Sequence, residues 1–166
     1  MDKRFVFRNY WWIAATVAMI AIVVIVASGS PGRESLIAST LAAALAFCYF
    51  VQKQKLDELR LFKDLFTDFN RRYDEMNDKL ESIRSGNGRG GAEVRNTLVE
   101  YFNLCAEEYL FFKEGYIHPE AWQSWCRGMV YYLQDDGIRG AWNEEMTSGS
   151  YYDLTLRSIE QGAAKH

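Results

Sequence analysis

YWWIAATVAMIAIVVIVA, from Tyr10 to Ala27, and LIASTLAAALAFCYFV, from Leu36 to Val51, are two apolar runs without a single charge. A helix needs roughly 20 apolar residues to cross a bilayer core, with a lower limit near 17. The first run meets that requirement. The second is slightly short, but Tyr49, Phe50 and the snorkelling stems of Lys53 and Lys55 extend it. A secretory signal is the rival for the first run, with Lys3, Arg4 and Arg8 as a positive flank and Val26-Ala27-Ser28 as a loose cleavage site. A signal core is about 7–15 residues, shorter than this run. A soluble hairpin would need far more protein to hide two helices that are apolar all round. The expectation is an uncleaved transmembrane hairpin, residues 10–51, with spans near 10–27 and 36–51.

Basic residues set its orientation. Lys3, Arg4 and Arg8 precede the first span, and Lys53, Lys55 and Arg60 follow the second. The loop SGSPGRES carries only Arg33, beside Glu34, with Pro31 and Gly32 for the turn. By the positive-inside rule both termini, including the short segment 1–9, are cytoplasmic. Trp11 and Trp12 mark one interface, and Tyr49 and Phe50 the same side on the return.

Small residues recur at spacings that let helix backbones approach closely in lipid: Ala14 and Ala18, then Ala38, Ser39, Ala42 and Ala46. They either close the hairpin on itself or join it to further copies. The spans hold no Asp, Glu, Lys, Arg or His, which argues against a proton relay, a voltage sensor or a charged selectivity ring. A pore would be lined by apolar or hydroxyl residues such as Thr16, Ser39 and Thr40.

Beyond Val51 lie about 115 residues, enough for one small domain. The chain's net charge is −3; Lys3, Arg4, Arg8 and Arg33 against Asp2 and Glu34 give the membrane part +2, leaving −5 for the remainder. That sign excludes a general nucleic-acid binder. Residues 52–84 contain no Gly or Pro, and Leu59, Phe62, Phe66, Phe69, Tyr73, Met76, Leu80 and Ile83 recur in alternating steps of three and four. This is an a/d seam on a long amphipathic, coiled-coil-like helix. A helix from Leu36 to Arg84 would reach some 70 Å. The seam packs either on its own domain, which its bulky aromatics favour, or between chains.

SGNGRGGA, 85–92, breaks the helix as a Gly-rich linker and lacks the ending of a phosphate loop. A helical domain fills 93–166. Val94, Leu98, Tyr101, Phe102, Cys105, Tyr109 and Phe112 form a stripe ending at Gly115. Glu107 and Glu108 read as a solvated or inter-helix face. Pro119 opens the next helix, whose expected buried side is Trp122, Trp125, Cys126, Met129, Val130 and Leu133, with Gly128 allowing close approach. Asp135-Asp136-Gly137 ends it. A short helix is expected from Ile138 to Met146, and a last one from Ser150 with Asp153 as its reach-back acid. The class is all-α: a two-helix transmembrane hairpin continuing into a long amphipathic helix, then a small cytoplasmic helical bundle. Cys48, Cys105 and Cys126 have no metal-ligand spacing and read as small core residues.

The strings LFTDFNRRYDEMNDKL and YFNLCAEEYLFFKEGYIHPEAWQSWCRGMVYYL resemble a group of small, uncharacterised bacterial membrane proteins with N-terminal hydrophobic helices and a helical domain, over roughly 61–133. That resemblance implies the bacterial inner membrane and carries no catalytic residues. The layout is similar to two-helix membrane effectors of phage-defence systems. It implies an oligomeric, pore-forming or depolarising effector controlled by its cytoplasmic domain; the alternative is a membrane-anchored module that recruits a cytoplasmic partner. No nucleophile elbow, zinc motif or nucleotide loop is visible, so neither an enzyme, a cofactor nor a metal site is expected. The expected partners are the lipid bilayer, further copies of the chain, and a cytoplasmic protein or a small anionic or nucleotide ligand. Arg84, Arg89, Arg95, Asn103, Glu107 and Trp122 are the candidate contacts.

Overall fold

The computed structural model describes residues 3–29, 31–86 and 91–164, and side chains from Phe7 onward. Its described residues are all-α: α1 (Lys3–Ser28), α2 (Arg33–Arg84), α3 (Ala92–Lys113), α4 (Pro119–Leu133), α5 (Asp136–Met146) and α6 (Leu156–Ala164). They divide into two compact units, Met1–Arg60 and Leu61–His166.

In the first unit, α1 and the first part of α2 are each long and apolar enough to cross a membrane. The expected eight-residue loop is shorter here. Gly29 and Gly32, at φ 60° and 77°, turn the chain, and α2 starts at Arg33. Ala14 and Ala18 are buried, while Ala38, Ser39, Ala42 and Ala46 are exposed. The first pair therefore closes the hairpin and the second set faces outward. Near Tyr10 the seam widens to include Phe7, Cys48 and Val51. There the Tyr10 hydroxyl accepts a hydrogen bond from Gln52 Nε2 (3.2 Å), and Lys55 Nζ donates to the Phe7 carbonyl (2.8 Å) while lying over the Tyr10 ring. The Ser39 and Thr40 hydroxyls donate to carbonyls one turn earlier, both at 2.8 Å, so neither donor is left unpaired on an apolar helix. Leu59 is exposed.

The second unit has one core. Phe69, Met76 and Leu80 of α2 are buried in it, with Phe62, Tyr73 and Ile83 packed alongside. The seam from Phe62 to Ile83 is thus occupied by this unit's own helices. The central helix is α3, buried on more than a stripe, because Leu104 and Ala106 are sealed as well as Leu98, Tyr101, Phe102 and Cys105. It stops in a Schellman turn: Tyr116 N donates to the Phe111 carbonyl and Gly115 N to the Phe112 carbonyl, both at 3.0 Å, with Gly115 at φ 79°.

On α4, Trp122, Cys126, Met129, Tyr132 and Leu133 are buried, whereas Trp125 and Val130 are only half-buried. Tyr132 takes the inward place that the pattern had left open. Gly128 has open space beside it. The tight glycine is instead Gly162 of α6, where an added methyl would collide with Cys126 Sγ and lie 2.9 Å from Trp122 Nε1. All three cysteines are buried and free.

Two helix starts differ from the sequence reading. Asp135 does not merely end α4; its Oδ1 accepts from Ile138 N at 2.9 Å and caps α5. The last helix does not start at Ser150. Tyr152 and Asp153 sit at positive φ, and α6 begins only after a reciprocal Thr155–Ser158 cap, in which Ser158 N donates to Thr155 Oγ1 (3.1 Å) and Thr155 N to Ser158 Oγ (2.9 Å). Ser158 takes the place usually held by Glu in a capping box.

Candidate functional site

The sequence-derived contact residues do not converge. Arg84 pairs with Glu81 at 2.9 Å and lies over the Tyr131 ring at 4.2 Å. Arg95 reaches Glu145 at 3.0 Å. Arg89 lies outside the described residues. Trp122 is a core residue, stacked on Phe112 at 5.0 Å. Asn103 and Glu107 do share one shallow groove with Arg72, but Arg72 Nη1 donates to Glu107 Oε2 at 2.5 Å and the two charges satisfy each other. Of the candidate arginines that the structure describes, Arg84 and Arg95 are both engaged by carboxylates.

The neighbouring acid behaves differently. One residue along α3, Glu108 is only 5% exposed and makes no hydrogen bond between helices. Arg72 and Glu107 act on it only through space. Among the described residues no buried polar side-chain atom is both sealed and unpaired, so the Glu108 oxygens reach open space. That space is a cavity of about 530 Å³ bordered by α2, α3 and α4. Phe66, Tyr73, Tyr101 and Trp125 supply aromatic walls, and Asn70 and Ser124 supply neutral polar groups. Trp125 is fixed from several sides: its Nε1 donates to Asn70 Oδ1 at 3.3 Å, its ring stacks on Phe66 and meets Phe69 edge-on, both at 5.7 Å. The Tyr132 hydroxyl donates to Asn77 Oδ1 at 2.9 Å and lies 3.3 Å from the Tyr73 hydroxyl, which holds Tyr73 at the cavity edge.

Burial pushes the Glu108 carboxyl up to about 8, with Glu107 adding to the rise and Arg72 opposing it. The adjacent Cys126 thiol is pushed up to about 12, first by burial and then by Glu108. A thiol held this far up is a packing group rather than a nucleophile. Among the described residues no group of three or more His, Cys, Asp or Glu side chains is placed to hold a metal ion.

The place is of the kind small ligands occupy: concave, mostly apolar, a few hundred Å³, with few polar groups. The sequence carried one trace of it. Glu108 falls inside the apolar stripe of α3, between Cys105 and Tyr109, where a solvated acid does not belong. No family model, no curated protein and no solved structure matches this chain.

Proposed function

We propose that this chain is a non-enzymatic, membrane-anchored recognition module of a bacterial inner membrane, with both termini and the Leu61–His166 unit in the cytoplasm. The observation that carries the reading is the outward face of the hairpin. Val17, Ile20, Val23, Val24, Leu41 and Leu45 are exposed apolar side chains in two helical stretches, Tyr10 to Ala27 and Leu36 to Val51, that hold no charged group. Such a surface is stable in lipid and costly in water. Basic residues at both outer ends support the orientation. The helical unit adds exposed Tyr116, Tyr131 and Tyr152, a residue type enriched at protein interfaces.

The test is a chimera with residues 1–51 replaced by an unrelated two-span anchor. It restores the phenotype caused by loss of the chain as well as the native sequence does. Failure of the chimera, with the native chain active, overturns the anchoring role.

One observation favours a second reading, an oligomeric membrane effector that depolarises the cell. Ala38, Ser39, Ala42 and Ala46 face outward, and that face suits helix–helix contact between copies. On this reading Ala42→Leu blocks self-association in detergent and abolishes depolarisation on induction, whereas Ala42→Leu with unchanged cross-linking and membrane potential removes it.

A further inference from the structure

The cavity beside Glu108 combines features that the anchoring role does not use. Its lining includes the acids Glu108 and Glu120 and contains neither Lys nor Arg. Four aromatic side chains, Phe66, Tyr73, Tyr101 and Trp125, border it. A buried carboxyl without an ion-pair or hydrogen-bond partner among the described residues opens into it. Anions are disfavoured by that charge balance. Wholly apolar molecules would leave the carboxyl desolvated and unpaired, at a cost.

We infer that this cavity binds a small organic cation, an ammonium or guanidinium on an apolar body, with Glu108 as its counter-charge and the Phe66, Tyr73, Tyr101 and Trp125 rings around it. Aromatic faces attract such cations through the ring quadrupole, most strongly where water is excluded. The cavity's size matches a ligand of this class. The inference stands apart from the anchoring proposal, because it concerns the Leu61–His166 unit alone.

Binding has a proton consequence. Around Glu108 stand Arg72 and Tyr73 of α2, Tyr101, Cys105 and Glu107 of α3, and Glu120 and Cys126 of α4. Arg72 is committed to Glu107, and burial raises Tyr101, Cys105 and Cys126, so none of the three loses a proton near neutrality. With its carboxyl at about 8, the empty site is mostly protonated at pH 7. A bound cation favours the carboxylate, and the displaced proton goes to solvent. Affinity therefore rises about tenfold per pH unit up to about pH 8.

The experiment is calorimetric titration of the full-length protein in detergent micelles. The probe is phenethylammonium; phenethyl alcohol and phenylacetate are the uncharged and oppositely charged controls. Acetyl-Lys-Phe-amide presents the same ammonium on a peptide and separates a free amine from a lysine side chain as the source. The expected result is saturable binding of the ammonium in either form, no binding of phenylacetate, and proton release near one at pH 7 when buffers of different ionisation heat are compared. Glu108→Gln lowers affinity at least tenfold and abolishes the release. Phe66→Leu, at an exposed wall position that leaves the core untouched, weakens binding several-fold. Equal binding of the alcohol, binding unaffected by Glu108→Gln and Phe66→Leu, or no saturable binding of either ammonium probe overturns the inference. None of these outcomes bears on the anchor chimera.

Discussion

In the Met1–Arg60 unit the sealed side chains are small or few: Ala14, Ala18, Tyr10, Cys48 and Val51. The Leu61–His166 unit seals Trp142, Phe102, Leu80, Leu104, Ile138 and Ile159 almost completely. Both are helical, and α2 runs through both. The difference lies in what each excludes. Water-facing helices gain by hiding apolar area, at roughly 25 cal/mol per Å². Helices in lipid gain nothing that way and associate through close backbone approach and satisfied polar groups. The hairpin buries Ala14 with Tyr10, Cys48 and Val51 and is pinned by Lys55 and Gln52 at one end. The second unit interlocks rings, as where Phe102 meets Trp142 edge-on at 5.0 Å.

The largest expected effect breaks one side of that contrast only. Phe102→Ala leaves a cavity where the ring meets Trp142 and Tyr101, costing about 3–5 kcal/mol. Near-ultraviolet circular dichroism of the detergent-solubilised chain shows early loss of aromatic packing, while the variant stays in the carbonate-resistant membrane fraction. Release into the soluble fraction would erase the distinction.

A smaller effect comes from Glu108. Its folded-state carboxyl, at about 8, lies above the unfolded value, so the folded form binds the proton more tightly. The penalty is absent below the unfolded pKa, near 4.3, and grows as pH rises toward 8, by up to about 1.4 kcal/mol per pH unit. Melting of the wild-type chain in detergent thus falls between pH 5 and pH 8. Glu108→Gln removes that slope, and a slope that survives the substitution would assign it to another group.

The smallest effect concerns the charged pair beside it. Arg72 and Glu107 are both partly exposed, and solvent screens them. Arg72→Ala costs under about 1 kcal/mol by denaturant titration. It also raises the Glu108 carboxyl further, since Arg72 is the group that lowers it. A downward shift of the pH slope in that variant would contradict this arrangement.

Much of the fold was legible from periodicity and punctuation. The apolar runs gave the two hairpin helices, the step of three and four gave the lower part of α2, Pro119 opened α4 and Gly115 closed α3. The start of α6 was misplaced because Ser150 and Asp153 imitate a cap in a segment that instead bends through positive φ at Tyr152 and Asp153. The cavity was hardly legible. Its walls come from α2, α3 and α4, and a lone acid on an apolar stripe does not say which helix lies opposite.

Local chemistry by itself determined where helices form and which stretches suit lipid, because hydrophobic spacing and terminal residues act within a few turns of the chain. Only the tertiary structure decided that the seam from Phe62 to Ile83 faces its own unit, that Ala14 and Ala18 close the hairpin while Ala42 does not, and that Glu107 is paired while Glu108 is buried at the wall of a cavity. Neighbouring residues on a helix differ by about 100° in direction, and the surface that each one meets is supplied by segments far away in the chain.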